Sequence, residues 1–402
     1  MTEPDARPLD GFRIIEVGQL LAGPFVGCIL GYFGAEVIKV EAPGAGDPIR
    51  KWRILDDHGT SWWWRSLGRN KKCITANLRS EQGQEIVRQL IDKADAVVEN
   101  FMPGRMEKWG LGPEVFKDSN PGLIYARISG YGQDGPYSSK PGFASVCEGV
   151  GGLRYVNGFP DGPPVRPNLS LGDTLAGLHT AFGIVMALVR RLKDPEGGGQ
   201  IIDTALYESV FNMLEGVVPE FDGAGEIRKP SGSTLTGIVP TNTYRCSDDK
   251  FIIIGANGDS IFKRLCDKMD RPEMGEDPRF ADNAGRVEHE PEIDAVITAW
   301  TGSIDSDTAL SLLEEARVPS GPIYDVADML ADEHFNARGL FEEVEVDGKK
   351  LKIPAMVPKF SKTPGRTDWP GPEVGSFNEE ILGGLLGISA DEQKKLQDDG
   401  VI

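Results

Sequence analysis

Within its first 41 residues the chain contains one complete strand–helix–strand unit. FRIIEV (12–17) reads as a short buried strand and Gly23-Pro24 as a turn. FVGCILGYFGA (25–35) then sets small and apolar residues at helical spacing, and VIKVE (37–41) is a second strand. Strands joined by a helical crossover lie parallel, so the unit calls for a parallel sheet with helices on its faces. The pattern continues. CITANL (73–78), AVVENF (96–101) and LIYARISGYG (123–132) are further strands, and SEQGQEIVRQLIDKA (80–94) is a helix with Ser80 as its N-cap. The expected fold class is therefore α/β.

Downstream, TLAGLHTAFGIVMALVRRL (174–192) is the longest apolar helical segment, with Arg190 and Arg191 in its last turn, where cations suit the helix dipole. PEGGGQ (195–200) ends it, IIDTAL (201–206) is a strand and YESVFNMLEGVV (207–218) a helix. A chain of 402 residues exceeds what one core accommodates, which predicts two domains. Composition shifts at 222–237, a polar, glycine-rich and aperiodic stretch, and a second boundary falls near Ile323. The reading is thus a large unit over 1–220, a linker and small domain over 221–323, and a return segment over 324–402. Within the return, FEEVEVDGKKLKIPAMV (341–357) alternates as a β-hairpin about an Asp-Gly turn.

The net charge of −19 repels nucleic acid and anionic membranes, so neither is an expected partner. An anionic ligand would need a local basic pocket opposing that field. The five cysteines are scattered with no CxxC pair, as reduced thiols would be, and the polar N-terminus lacks a signal peptide's apolar core. No apolar run reaches the roughly 18 residues of a membrane span. A cytoplasmic protein is expected. The four histidines lie far apart without metal-ligand spacing, so no metal site is expected.

Asp173, in LGDTLAG (171–177), opens the apolar helix and has two readings. A helix-start aspartate caps free backbone N–H groups. A carboxylate held ionised there by the dipole, beside Gly172, can also attack a thioester and form a covalent acyl intermediate. Gly130-Tyr131-Gly132-Gln133-Asp134-Gly135 fits GxGxxG, but no apolar helix opens at its end, so the dinucleotide signal is weak. Two basic groups stand at ends of strands, Arg69 with Lys72 and Arg105 with Lys108, the latter just after Asn100-Phe101. Either group could be solvated surface; together they favour a phosphate-bearing ligand. Ile254-Gly255-Ala256-Asn257-Gly258-Asp259, after an apolar strand, is a simple turn or a loop whose amides face a substrate. His179, six residues after Asp173, reads as helix packing that approaches the same region.

Taken together, LAGPF (21–25), GAEVIKVEAPGAGD (34–47), NKK (70–72), VENFMPGRMEKWGLG (98–112), ISGYGQDGP (128–136), LGDTLAG (171–177) and GGGQIID (197–203) resemble the class III CoA-transferases essentially end to end. The resemblance implies a Rossmann-like large domain built from both chain ends, a smaller α+β domain between, and an interlocked homodimer. It implies Asp173 as nucleophile and Gly255 and Gly258 as the loop covering the site. Arg69, Lys72, Asn100, Phe101, Arg105 and Lys108 would bind CoA. CoA and acyl-CoA are substrates, and no cofactor is implied. Gln19 falls with the substrate, Trp63 would wall its pocket, and Arg50 and Arg166 are candidates for a distal carboxylate. The implied reaction moves CoA from succinyl-CoA or a similar donor to a small acid of malate, citramalate, itaconate or mesaconate type. Two departures narrow it. Leu21 stands where formyl-CoA transferases carry glutamine, against oxalate. Phe143 stands where the related 2-methylacyl-CoA racemases carry histidine, against proton shuttling. A racemase and a non-catalytic acyl-CoA-binding protein remain the alternatives.

Overall fold

The computed structural model describes residues 6–402. Contacts divide them into two compact units, the first made of the chain up to Leu153, Pro167–Glu215 and Phe335–Ile402, the second of Arg154–Arg166 and Gly216–His334. The return to the first unit thus comes at 335 rather than 324, and a 13-residue excursion, 154–166, joins the second.

The first unit runs β1 (Arg13–Glu16), α1 (Ala22–Tyr32), β2 (Glu36–Glu41), α2 (Trp62–Leu67), β3 (Lys71–Thr75), α3 (Glu81–Ile91), β4 (Ala96–Glu99), α4 (Arg105–Lys108), β5 (Ile124–Ser129), α5 (Ala144–Val150), α6 (Leu153–Val156, which crosses the division), α7 (Leu171–Lys193) and β6 (Ile201–Ala205). The six strands form one parallel sheet in the order β3-β2-β1-β4-β5-β6. That is the doubly wound order, in which the winding reverses between β1 and β4. Ile15 pairs with Ile38 on one side and Val97 on the other. β4 and β5 are buried at every position, as expected of strands covered on both faces.

Helices α1 and α7 cover one face, packing Val26, Ala176 and Ile184 against Ile14, Val37 and Ala126. On the other face α3, capped by Ser80, packs Ile86 and Val87 with Ile15, Ile38 and Val97. The return segment supplies the rest. β10 (Phe341–Val346) and β11 (Lys349–Pro354), numbered after the second unit's strands, pair about Asp347 and Gly348, both at positive φ as a two-residue hairpin turn requires. Ile381, Leu382, Leu396, Val401 and Ile402 then complete the core on the α3 face.

The second unit holds a three-stranded antiparallel sheet of β7 (Thr241–Arg245), β8 (Phe251–Gly255) and β9 (Ser320–Pro322), with helices packed around Ile252, Ile254, Phe262 and Ile297.

Candidate active site

In a doubly wound sheet, ligands bind beyond the carboxyl ends of the strands where the winding reverses. Here that place lies between the loops after β1 and β4, and Gln19 and Asn100 join them. The Asn100 amide donates to the Gln19 carbonyl at 2.8 Å and its Oδ1 accepts the Gln19 N–H at 2.7 Å. A side chain at Gly18 would put its Cβ 2.7 Å from Asn100 Oδ1, so only glycine admits this approach. Asn100 therefore shapes the loop, and Gln19 takes part through its backbone.

Beneath this loop lies a charge network that the sequence reading passed over. Lys39 Nζ contacts Glu16 and Asp47, each at 2.8 Å, and donates to the Gly18 carbonyl at 3.0 Å. Lys71 Nζ contacts the same Glu16 at 2.8 Å and the Pro24 carbonyl at 2.6 Å. Asp47 Oδ1 accepts from the amides of Leu20 and Ile49, and Leu20 is held at φ +62°. All four charged side chains are buried. Burial opposes ionisation of Asp47, but Lys39 prevails and holds its carboxyl below the usual range. Burial likewise works against charged Lys39, and Asp47 with Glu16 outweighs it, raising the ammonium. The sequence signal was Glu16 and Lys39 inside otherwise apolar strands.

At the end of β4, Glu99 is buried and accepts from the Phe101 amide at 2.8 Å and from Arg127 at 2.9 Å. Burial pushes its carboxyl up to about 7 against the lowering by Arg127 and the Phe101 amide, and the nearby Glu107 charge adds to the rise. Phe101 packs edge-on against Trp109, over which Arg105 also sits. Arg105 and Lys108 are exposed on α4, just beyond the carboxyl end of β4.

The other basic group stands elsewhere. Lys72 and Arg69 precede or open β3, at the amino ends of the parallel strands and so at the opposite edge from Asn100. Lys72 pairs with Glu36 and Glu380. Arg69 is 1% exposed and donates to the carbonyls of Ser66 and Pro354 and to Thr367. Its donors go to protein acceptors, so it anchors the return hairpin instead of meeting phosphate. Arg50 is buried too, with both Glu41 oxygens and the Pro372 carbonyl as partners, which removes it from any distal carboxylate.

Asp173 occupies the third position of the 23-residue α7, partly buried in its first turn, and Ser170 takes the cap position. The capping reading therefore does not hold in its simple form. Instead Glu148 of α5, fully buried, accepts the Gly172 amide at 3.2 Å. Burial, then the charges of Asp173 and Glu148, push the neighbouring Cys147 thiol up to about 11. Gly177, one turn on, lets α7 close on α1: a Cβ there would meet the Ala22 carbonyl at 2.9 Å. This packing sets the turn bearing Asp173 beside the chain that follows the Gln19 loop. Phe143, exposed, directly precedes Ala144, whose Cβ faces Gly172. His179 has both ring nitrogens engaged, Nδ1 with the Leu175 carbonyl at 2.9 Å and Nε2 with Asn212 at 3.4 Å.

Gly255 and Gly258 belong to the second unit, as does Arg166. The Gly255 amide donates to the Pro319 carbonyl at 2.9 Å, and Gly258 caps the helix Asp259–Lys268. Buried Arg286 ties down the Asn257 carbonyl and Asp259. Among the described residues no three of His, Cys, Asp and Glu gather where they could hold a metal ion.

The sequence profile described as CoA-transferase family III matches residues 9–378. The chain belongs to CoA-transferase family III. It is 46% identical to a succinyl-CoA–D-citramalate CoA-transferase of Chloroflexus aurantiacus over 98% of each chain. It is 33% identical to a succinyl-CoA:mesaconate CoA-transferase of Haloarcula marismortui, over 93% of this chain and 95% of that one. A CAIB/BAIF family protein from Brucella suis superposes with a TM-score of 0.83 at 34% identity, covering 95% of this chain and all of that one. The protein is an enzyme, a CoA-transferase. The likeness of fold extends to the mixed α/β architecture with its parallel six-stranded sheet.

Proposed function

We propose that this enzyme transfers CoA from succinyl-CoA or a similar short acyl-CoA to a small dicarboxylic acid through a covalent intermediate on Asp173. The Asp173 carboxylate attacks the thioester carbonyl, the C–S bond breaks, and a mixed anhydride forms with release of CoA thiolate. The thiolate attacks the Asp173 carbonyl, giving an aspartyl-CoA thioester and the free donor acid. The acceptor carboxylate then attacks that thioester, and the thiolate released returns to the new anhydride. Asp173 is regenerated, and the thioester's free energy passes to the product. No proton is gained or lost, so no general acid is required.

The observation that supports this reading most is the position of Asp173 in the first turn of α7, where the helix dipole favours the anion. The names of the citramalate, malate, glutarate and mesaconate relatives support the dicarboxylate class. Arg105 and Lys108 suit the CoA phosphates, and Asn100 with Phe101 the start of its binding loop. Gly255 and Gly258 are assigned to the loop that excludes water from the anhydride. The outward face of α7, with Leu178, Phe182, Met186, Val189 and Leu192 about half exposed or more, suits burial in a homodimer. A cytoplasmic setting fits the acid substrates. Racemisation is disfavoured because Phe143 cannot carry a proton and His179 has both nitrogens occupied.

Incubation with succinyl-CoA and a panel of small acids, with mass analysis of the CoA esters formed, tests the reaction. Hydroxylamine should convert Asp173 to its hydroxamate during turnover. Asp173→Ala should retain acyl-CoA binding and lose transfer by roughly a thousandfold or more. Transfer at the wild-type rate by that variant would sink the reading.

A further inference from the structure

A cavity of about 540 Å³ opens within the first unit beside the start of α7. Leu171 and Thr174 line it, one on each side of Asp173 in sequence, together with Leu21 from the chain after the Gln19 loop. Trp62 and Trp63 of α2 form another wall, and β11 with Met356 closes it. Its walls are largely hydrocarbon. Among the described residues lining it there is no aspartate or glutamate, although the chain as a whole carries 62.

Three cations line it: Arg53, Arg69 and Lys352. Arg69 is spent on Ser66, Pro354 and Thr367. No carboxylate among the described residues pairs with either of the other two. Arg53 lies with its guanidinium carbon 4.1 Å from the centroid of the Trp63 ring. It is a non-glycine residue at φ +61°, a conformation that costs roughly 1 kcal/mol or more and fixes where the side chain leaves the backbone. A guanidinium stacked on an indole keeps its in-plane N–H edge for a planar acceptor.

We infer that Arg53, backed by Trp63, receives the distal carboxylate of the dicarboxylic acid whose other carboxylate reacts at Asp173. The inference rests on the covalent reading above and names the residue that selects the acid. A hydrocarbon-walled pocket with uncompensated positive charge fits a short carbon chain ending in an anion. Arg53 is exposed, and a monocarboxylic acid would offer its guanidinium no carboxylate to meet. Lys352, on the β11 wall, adds a less directional second charge.

Competition tests it on the full-length enzyme. A dicarboxylic acid and the monocarboxylic acid of the same length are offered together, for instance mesaconate and crotonate, with one donor. The ratio of the two CoA products depends only on how the aspartyl-CoA stage is partitioned, so donor effects cancel. Arg53→Leu should lower the dicarboxylate-to-monocarboxylate ratio about 10- to 100-fold, the range set by a charge-assisted hydrogen bond. Arg53→Lys should restore part of it, since a point charge replaces the bidentate edge. Hydroxylamine labelling of Asp173 is followed in the same samples. An unchanged ratio in Arg53→Leu with labelling intact overturns this assignment alone. Absence of labelling in the wild-type enzyme while CoA is being transferred overturns the covalent reading beneath it.

Discussion

The guanidinium of Arg50 lies 3.9 Å from the centroid of the Trp64 ring and holds both oxygens of Glu41, at 2.8 and 2.6 Å. Both charges are buried. Removing one partner of such a pair leaves the other uncompensated, which costs about 3–5 kcal/mol. Arg50→Ala should therefore lower the urea midpoint steeply and leave the acceptor preference of the surviving folded enzyme unchanged. A variant of normal stability with altered preference would return Arg50 to the substrate site. The sequence displays the cations but not their partners. Arg69 meets Pro354, 285 residues away, and Lys72 meets Glu380, 308 residues away. It also hides direction: a basic residue before a strand and one after a strand sit at opposite edges of a parallel sheet. That is why Arg105 and Lys108 lie beyond the carboxyl ends of the strands while Arg69 and Lys72 lie at the amino ends. Asn100 and Asp173 stood out as candidates because each follows or opens an element whose period is plain. Arg53 was not, because its irregular segment carries no period.

At the scale of elements, α7 determines where Asp173 stands. The helix begins at Leu171, three residues before the apolar pattern that announces it, because Glu148 of α5 accepts its Gly172 amide. A cap supplied from 24 residues away leaves no local mark. At 23 residues α7 is also long and apolar enough to cross a bilayer, longer than the apolar run read from sequence, yet one face packs on α1 and the sheet. Its contact with α1 depends on Gly177, and Gly177→Ala must push the Ala22 carbonyl back. The expected result is a loss of about 1–3 kcal/mol in stability and a fall in Asp173 acylation of roughly tenfold or more. Gly183→Ala is the control on the same helix, since its Cβ would meet only Ile202, at 3.4 Å. It should leave acylation unchanged and hold or raise stability, alanine being the better helix former by about 1 kcal/mol. Equal effects from the two variants, read by single-turnover labelling and urea unfolding, would show that the α1–α7 contact does not position Asp173.

Across the whole molecule, the first unit is assembled from three separated stretches of chain, and its core depends on the last. Asn378 binds Thr75 at the end of β3 through its Oδ1 and Nδ2, at 2.9 and 2.8 Å. The Asn77 amide donates to the Val401 carbonyl at 2.8 Å. Ile381, Leu382, Leu396, Val401 and Ile402 are each less than 9% exposed against the α3 face of the sheet. Burying five such side chains contributes on the order of 10 kcal/mol, which is comparable with the entire stability of a typical domain. Local pattern could suggest a final helix but not that it docks on strands some 300 residues earlier. Only the motifs taken together carried the expectation that both ends build one domain. A chain stopped after Gly375 keeps the six parallel strands, Asp173 and the β10–β11 hairpin, and still lacks this layer. It should lose hydrogen-exchange protection in β1, β2 and β4 and fail to unfold cooperatively, with no hydroxylamine labelling of Asp173. Leu382→Ala gives the graded version, a loss of about 2–5 kcal/mol with labelling preserved under conditions where the variant is folded. If the shortened chain melts at the full-length midpoint, the sheet is held by its two earlier stretches, and the return segment serves the Arg53 pocket through β11 instead of the core.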